Sequence, residues 1–246
     1  MTPPVFLTEP GELDHDSVVL TGGEGRHAAT VRRLAVGEVA DLADGEGTRA
    51  RCVVSQVGKD VVTFAVRERR TEPPPSPRLT VVQALPKSER GELAVEVMTE
   101  AGVDGIVPWA ADRCVTKWKA ERATKSLAKW RATAREAAKQ ARRSRLPEVS
   151  ELASGADVAA LLAKATLGLV LHESAAEPLS RLPVPRGEGD DSIVLVVGPE
   201  GGLSDDELAA FDAVGARRAR LGPTVLRTST AGLAALAVVQ ARCGRW

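Results

Sequence analysis

The chain is short of the features that mark specialised protein classes. Its three cysteines, Cys52, Cys114 and Cys243, lie far apart in 246 residues. No CxxC pair occurs and no histidine sits beside them. That spacing excludes a disulfide scaffold and a zinc ribbon, and it predicts reduced thiols and no bound metal. No apolar run approaches the roughly 20 residues of a membrane-spanning helix, so no membrane partner is expected. The opening residues, MTPPVFLTEPGELDHD, lack the basic-then-apolar order of an export signal, which predicts a cytoplasmic protein. Net charge is absent too, because 33 Lys and Arg balance 33 Asp and Glu.

The balance hides an asymmetry. Between Arg113 and Arg145 twelve basic residues accompany two acids, Glu121 and Glu136, a local charge of +10 that the remainder of the chain offsets. A solvated helix face ordinarily pairs its bases with acids at i,i+4. This one has almost none, which points to a polyanionic partner, namely nucleic acid. The hydrophobic content of 43% is ordinary for a globular chain, and the length suits one large domain or two modest ones.

A proline-rich stretch, TEPPPSP at residues 71–77, makes a stiff spacer that continues neither a helix nor a central strand. Before it, short apolar runs at 17–20, 38–42, 51–57 and 61–66 alternate with glycine-rich turns, one of them Gly22-Gly23. That rhythm predicts a small β-barrel, with one short helix over residues 26–34. After the spacer the runs lengthen. Strands are predicted at 79–84, 106–109 and 166–172, with helices at 89–101 and 158–163 and one or two long basic helices over 116–143. Strands alternating with helices predict a parallel α/β sheet. The expected organisation is thus residues 1–72, a linker over 73–78, and a second domain over 79–246.

Two loops near the C-terminus carry the chemistry. In SIVLVVGPEGG, residues 192–202, an apolar strand breaks into Gly198, Pro199, Glu200, Gly201 and Gly202. It has neither the GxGxxG nor the GxxxxGKS/T spacing of the common phosphate loops. Ser204 and Glu207 then form a capping-box pair that starts a helix. A short strand at 217–221 leads to LGPTVLRTSTA and an Ala-rich final helix over 230–242. A glycine turn by itself can be purely structural. Val225 and Leu226 at the centre of the second loop, however, suit the wall of a pocket for an apolar ring. Two strand–loop–helix junctions this close can meet at one edge of a parallel sheet, where α/β proteins bind ligands.

These segments together resemble the RsmE family of 16S ribosomal RNA uridine-N3 methyltransferases, within the SPOUT superfamily. His27, Val31, Arg32, Arg33, Leu34 and Gly37 are similar to the family's N-terminal signature. Ala84 to Lys87 resembles its Leu-Pro-Lys turn, and Glu100 to Asp104, with Ile106 and Pro108, a second motif. Arg113 follows, then Glu136, Gln140, Arg143 and Pro147, and finally the two loops. The chain departs from the pattern at Ser229, where the family usually has Glu, at Ala101, where it has Leu, and at Arg142, where it has a small residue.

The resemblance implies an N-terminal PUA-like barrel for RNA and a C-terminal α/β domain whose last segment threads a trefoil knot. It implies S-adenosyl-L-methionine held by Leu171, His172, Gly198, Pro199, Glu200, Gly201, Gly202, Leu221, Gly222, Leu226 and Thr228. It implies a homodimer acting on 16S rRNA, within the small ribosomal subunit. Arg26, His27, Arg32, Arg33, Lys87, Lys125, Lys129 and Arg135 are the expected RNA contacts. Methylating N3 of uridine requires a lone pair that the neutral base lacks, so positive charge near O2 and O4 would lower the barrier. Arg143 leads the candidates for that role, with Arg113 and Arg227 behind it. Two other readings keep part of the pattern: a ribose 2′-O-methyltransferase of the same superfamily, and a non-catalytic RNA-binding assembly protein.

Overall fold

The change of rhythm at the prolines is a physical boundary. A computed structural model describes every residue except Met1, Glu89, Ala120, Glu188 and the side chain of Glu121. In it the chain divides into two compact units between Pro74 and Pro75. One later stretch, Ala138–Leu146, belongs with the first unit. The sequence reading places it in the second. It ends a long regular helix, and neither composition nor period changes where that helix passes from one unit to the other.

The first unit is a five-stranded sheet. Its strands are β1 (Val5–Leu7), β2 (Ser17–Leu20), β3 (Val39–Ala43), β4 (Thr48–Gly58) and β5 (Val61–Thr71), in the order β1-β3-β4-β5-β2. Only β1 and β3 run parallel; the other pairs are antiparallel. β4 outruns its predicted strand at both ends, and β5 runs on past residue 66. Two register shifts, between Arg51 and Cys52 and between Val54 and Gln56, bend the pair. Phe6, Leu42, Cys52, Val54, Val62 and Phe64 are buried in its core. The predicted helix at 26–34 begins earlier, as α1 (Gly22–Arg26), and runs on as a π-helical turn, His27–Val31. Gly22 and Gly23 therefore open a helix instead of making a turn. Gly25 explains the close packing, because a Cβ there would lie 2.5 Å from the Asp60 carbonyl oxygen.

The second unit is α/β, as its alternating rhythm predicts. It contains β6 (Arg78–Ala84), α2 (Arg90–Glu100), β7 (Gly105–Trp109) and α3 (Glu121–Gln140), whose last residues belong to the first unit. Then come β8 (Glu148–Val149), α4 (Gly155–Lys164), β9 (Leu167–Leu171), β10 (Ser192–Val197), α5 (Asp205–Ala213), β11 (Arg217–Ala219) and α6 (Thr228–Cys243). The six strands are ordered β11-β9-β10-β6-β7-β8, and every pair is parallel. β10 is buried from Ile193 to Val197, as a strand covered on both faces must be. α2 packs on α6, and α4 on α5. From the adjacent strands β10 and β6 the chain leaves in opposite directions, to β11 on one side and β7 on the other. Divergent connections of this kind leave a crevice at the carboxyl ends of the strands.

Candidate functional site

A cavity opens at the carboxyl side of the sheet, built by three strand ends. β9 delivers Leu171, His172 and Glu173, β10 delivers Val197 to Glu200, and the loop after β11 delivers Leu221 to Thr228. They enclose a cavity of about 340 Å³, within the size range of small-molecule sites. Its walls are apolar at Leu171, Val197, Leu203, Leu221, Val225 and Leu226, and its polar side chains are His172, Glu173, Glu200, Arg90, Thr224, Arg227 and Thr228. Val225 is 77% exposed and Leu226 40%, so two neighbouring apolar side chains of the cavity lining stand open to solvent.

Short contacts hold the loops in place. Ser204 and Glu207 form the reciprocal capping box at the start of α5. The Ser204 N–H donates to Glu207 Oε2 at 2.8 Å, and the Asp112 N–H donates to Glu207 Oε1 at 2.8 Å. Ser204 Oγ also donates to Asp112 Oδ2 at 2.7 Å. One carboxylate thus ties the loop after β7 to the loop after β10. Arg113, next to Asp112, donates from Nη1 to the Gly201 carbonyl at 3.3 Å. Gly202 sits at φ +74°, a conformation that side-chain-bearing residues resist. The Lys87 N–H donates to Glu200 Oε1 at 3.1 Å, and Thr228 Oγ1 donates to the Gly198 carbonyl at 3.2 Å. The latter bond fastens the start of α6 to the first loop.

His172 Nδ1 lies 3.2 Å from the Ser174 N–H, which donates to it, and 2.9 Å from Ser174 Oγ. Accepting at Nδ1 leaves Nε2 to carry the ring proton. Among the described residues no cluster of His, Cys, Asp and Glu could hold a metal ion, and no helix is long and apolar enough to cross a membrane.

An RNA methyltransferase domain model matches residues 73–240, and an RNA methyltransferase PUA domain model matches residues 20–66. The ribosomal RNA small subunit methyltransferase E of Mycobacterium bovis is 49% identical over 242 residues, covering 93% of this chain and 87% of that protein. The chain belongs to the small-subunit rRNA methyltransferase E family. Its Bacillus subtilis member is 29% identical over 96% of this chain and 94% of its own length. The Neisseria gonorrhoeae member, solved bound to S-adenosyl methionine, superposes with a TM-score of 0.84 at 27% identity, covering 98% of both chains. A Legionella pneumophila chain solved in complex with the cofactor SAM gives 0.86 at 29% identity, again over 98% of both. The family thus accounts for both units, a PUA-like N-terminal domain and a parallel α/β domain.

Within this family member the cofactor candidates from sequence gather at one place. Leu171, His172, Gly198, Pro199, Glu200, Gly202, Leu221, Gly222, Leu226 and Thr228 line the cavity; Gly201 instead packs on Arg113. Arg227 lines it too. Arg143 does not, and lies on the 138–146 stretch of the first unit, where its N–H donates to the Ala138 carbonyl at 2.9 Å. Sequence reasoning missed Arg90, Leu203 and Thr224. Arg90 reaches the cavity from the start of α2, with no local motif to announce it.

The basic segment is narrower than its sequence count. Lys129 pairs with Glu92 at 3.0 Å, and Arg131 with Glu151 at 2.9 Å. Lys139, 4% exposed at its side chain, donates to both oxygens of Glu24 at 2.7 and 2.8 Å and to His27 Nδ1 at 3.0 Å. His27 also meets the Phe6 ring edge-on, with centroids 5.4 Å apart. An expected RNA contact is therefore engaged inside the first unit. Arg26, Arg32, Arg33, Lys87 and Lys125 are exposed, and Arg135 is half-buried on α3.

Proposed function

We propose that this chain transfers the methyl group of S-adenosylmethionine to N3 of a specific uridine in 16S rRNA of the small ribosomal subunit. The observation that carries the proposal is the cavity at the carboxyl ends of β9, β10 and β11. The donor set fits the cofactor. Apolar walls from Leu171, Leu221 and Leu226 suit an adenine, loop amides suit its edge, and Glu173, Glu200, Arg90 and Arg227 suit the charged amino-acid end. When bound, S-adenosylmethionine supplies an electrophilic methyl on a sulfonium, which needs no metal.

The residues of the chain do the rest. N3 of uridine carries a proton that must leave before its lone pair can accept the methyl, and the negative charge then spreads to O2 and O4. Arg143 stabilises that charge at the base, by preorganised electrostatics. Arg227 is held at the cofactor, and Arg113 positions the glycine loop through its bond to Gly201. The N-terminal unit carries the RNA through Arg26, Arg32 and Arg33, aided by Lys87, Lys125 and Arg135. The protein works in the cytoplasm as a homodimer, with α6 in the interface, and its last segment is knotted as in the SPOUT superfamily.

The test is to incubate purified protein with S-adenosylmethionine and small subunits from a strain lacking the gene, then to map the rRNA by mass spectrometry. One added methyl on a uracil base is expected. A methyl on ribose, or cofactor binding with no transfer to either subunits or naked rRNA, overturns the proposal.

A further inference from the structure

A second cavity, of about 520 Å³, opens in the α/β unit outside the cofactor site. The first residues of α2 border both: Arg90 lines the first cavity and its neighbour Gly91 lines the second. The second is walled by two indoles. Trp130 is buried, and half-buried Trp118 stands nearly perpendicular to it, with centroids 5.1 Å apart and planes at 82°. Lys117, Lys119 and Arg122 surround the indoles. The one described carboxylate in the lining, Glu92, is engaged by Lys129 at 3.0 Å. The shape is fixed from below, because Thr116 Oγ1 donates to the Pro86 carbonyl at 2.8 Å. An indole framed by cations, beside a reaction site, matches how proteins hold unpaired nucleotides: the base stacks on the ring and the backbone phosphates meet the cations.

We propose that this cavity is a subsite for one nucleotide of single-stranded RNA flanking the target, with its base on Trp118 and its phosphates on Lys117, Lys119 and Arg122. It rests on the proposed activity only in taking RNA as the ligand. The cavity's neighbour is the cofactor site, so a strand that presents a base to one reaches the other by its adjoining nucleotides.

The probe is a five-nucleotide single-stranded oligoribonucleotide, titrated into the full-length protein by tryptophan fluorescence. Inorganic phosphate and a duplex of the same sequence serve as controls. Binding of the single strand should quench the emission, and the quench should shrink in Trp118→Phe to what Trp130 alone reports, while affinity stays within a few-fold because a ring remains. Trp118→Ala should weaken the single strand by about fivefold to a hundredfold. Lys117→Ala with Lys119→Ala should lower the salt slope of binding by roughly 0.7 for each phosphate that no longer meets a lysine. Cofactor affinity, measured by calorimetry in the same variants, should not move. Equal oligonucleotide affinity and salt slope in the lysine double variant would overturn the subsite. So would a phosphate or duplex signal as strong as that of the single strand, or a parallel loss of cofactor binding. Loss of methyl transfer by a wild-type protein that still binds the strand would count against the proposed activity and not against the subsite.

Discussion

At the scale of single residues, Glu207 joins two separate stretches of chain with one carboxylate. It accepts from the N–H groups of Ser204 and Asp112, each at 2.8 Å, and is itself buried. Glu207→Ala strips two amides of their acceptor, a loss of about 1–3 kcal/mol, and frees the glycine loop. A lower thermal midpoint and weaker cofactor binding are expected together; a variant with both unchanged would show that the loop holds itself. Cys52 offers a different test. Burial, with Asp41 nearby, raises its thiol from 9.0 to about 11. A raised value means that the native state keeps the proton after the unfolded chain has given it up. Stability is therefore whole below pH 9 and falls as pH rises toward 11, by at most about 2–3 kcal/mol. Denaturant titrations on either side of that ordinary thiol value should show the fall in wild type and a smaller one in Cys52→Ala.

At the scale of elements, helix α3 has two jobs that its sequence runs together. Lys125 and Lys129 lie toward solvent, while Lys139 near its end is enclosed by Glu24, His27 and Phe6, with the ammonium 5.5 Å from the Phe6 ring centre. The charge run reads as one basic stripe, because a buried cation and a solvated one have the same letter. The two should separate cleanly on substitution. Lys125→Ala should reduce RNA affinity and its salt dependence with no change in stability. Lys139→Ala leaves the Glu24 carboxylate enclosed without its cation, and should cost about 3–5 kcal/mol of stability, read from chemical denaturation. An unaltered unfolding midpoint in Lys139→Ala would mean that Glu24 is solvated after all. The same blindness explains α1. Gly22-Gly23 reads as a turn, yet the glycines begin a helix that lies against the Asp60 carbonyl, a contact invisible without the fold.

At the scale of the whole molecule, what was legible is what the backbone itself dictates. The prolines at 73–75 set the division, and the alternation of strands with helices after them announced a parallel sheet. The two glycine–proline loops were marked by residues that only turns tolerate, and nearly all the residues named from them line one cavity. What was not legible depends on residues distant in sequence. Arg90 comes to the cavity from another strand's connection, and residues 138–146 join the first unit although the first three of them end a helix of the second. That division bears on the chemistry, because the proposed catalytic arginines lie on different units: Arg227 in the cavity wall, Arg143 on the 138–146 stretch. Arg227→Ala should weaken the cofactor, with a smaller effect on the rate at saturation. Arg143→Ala should leave cofactor affinity alone and lower the single-turnover rate about a hundredfold, the usual cost of removing one preorganised charge. The deficit should shrink as pH rises, since more uridine then ionises unaided. Arg143→Lys should recover little, because a point charge cannot span two acceptors as a guanidinium does. Rate against pH at saturating RNA and cofactor decides it. If Arg143→Ala keeps its rate and only raises the RNA dissociation constant, Arg143 clamps a phosphate and the charge at the base comes from elsewhere.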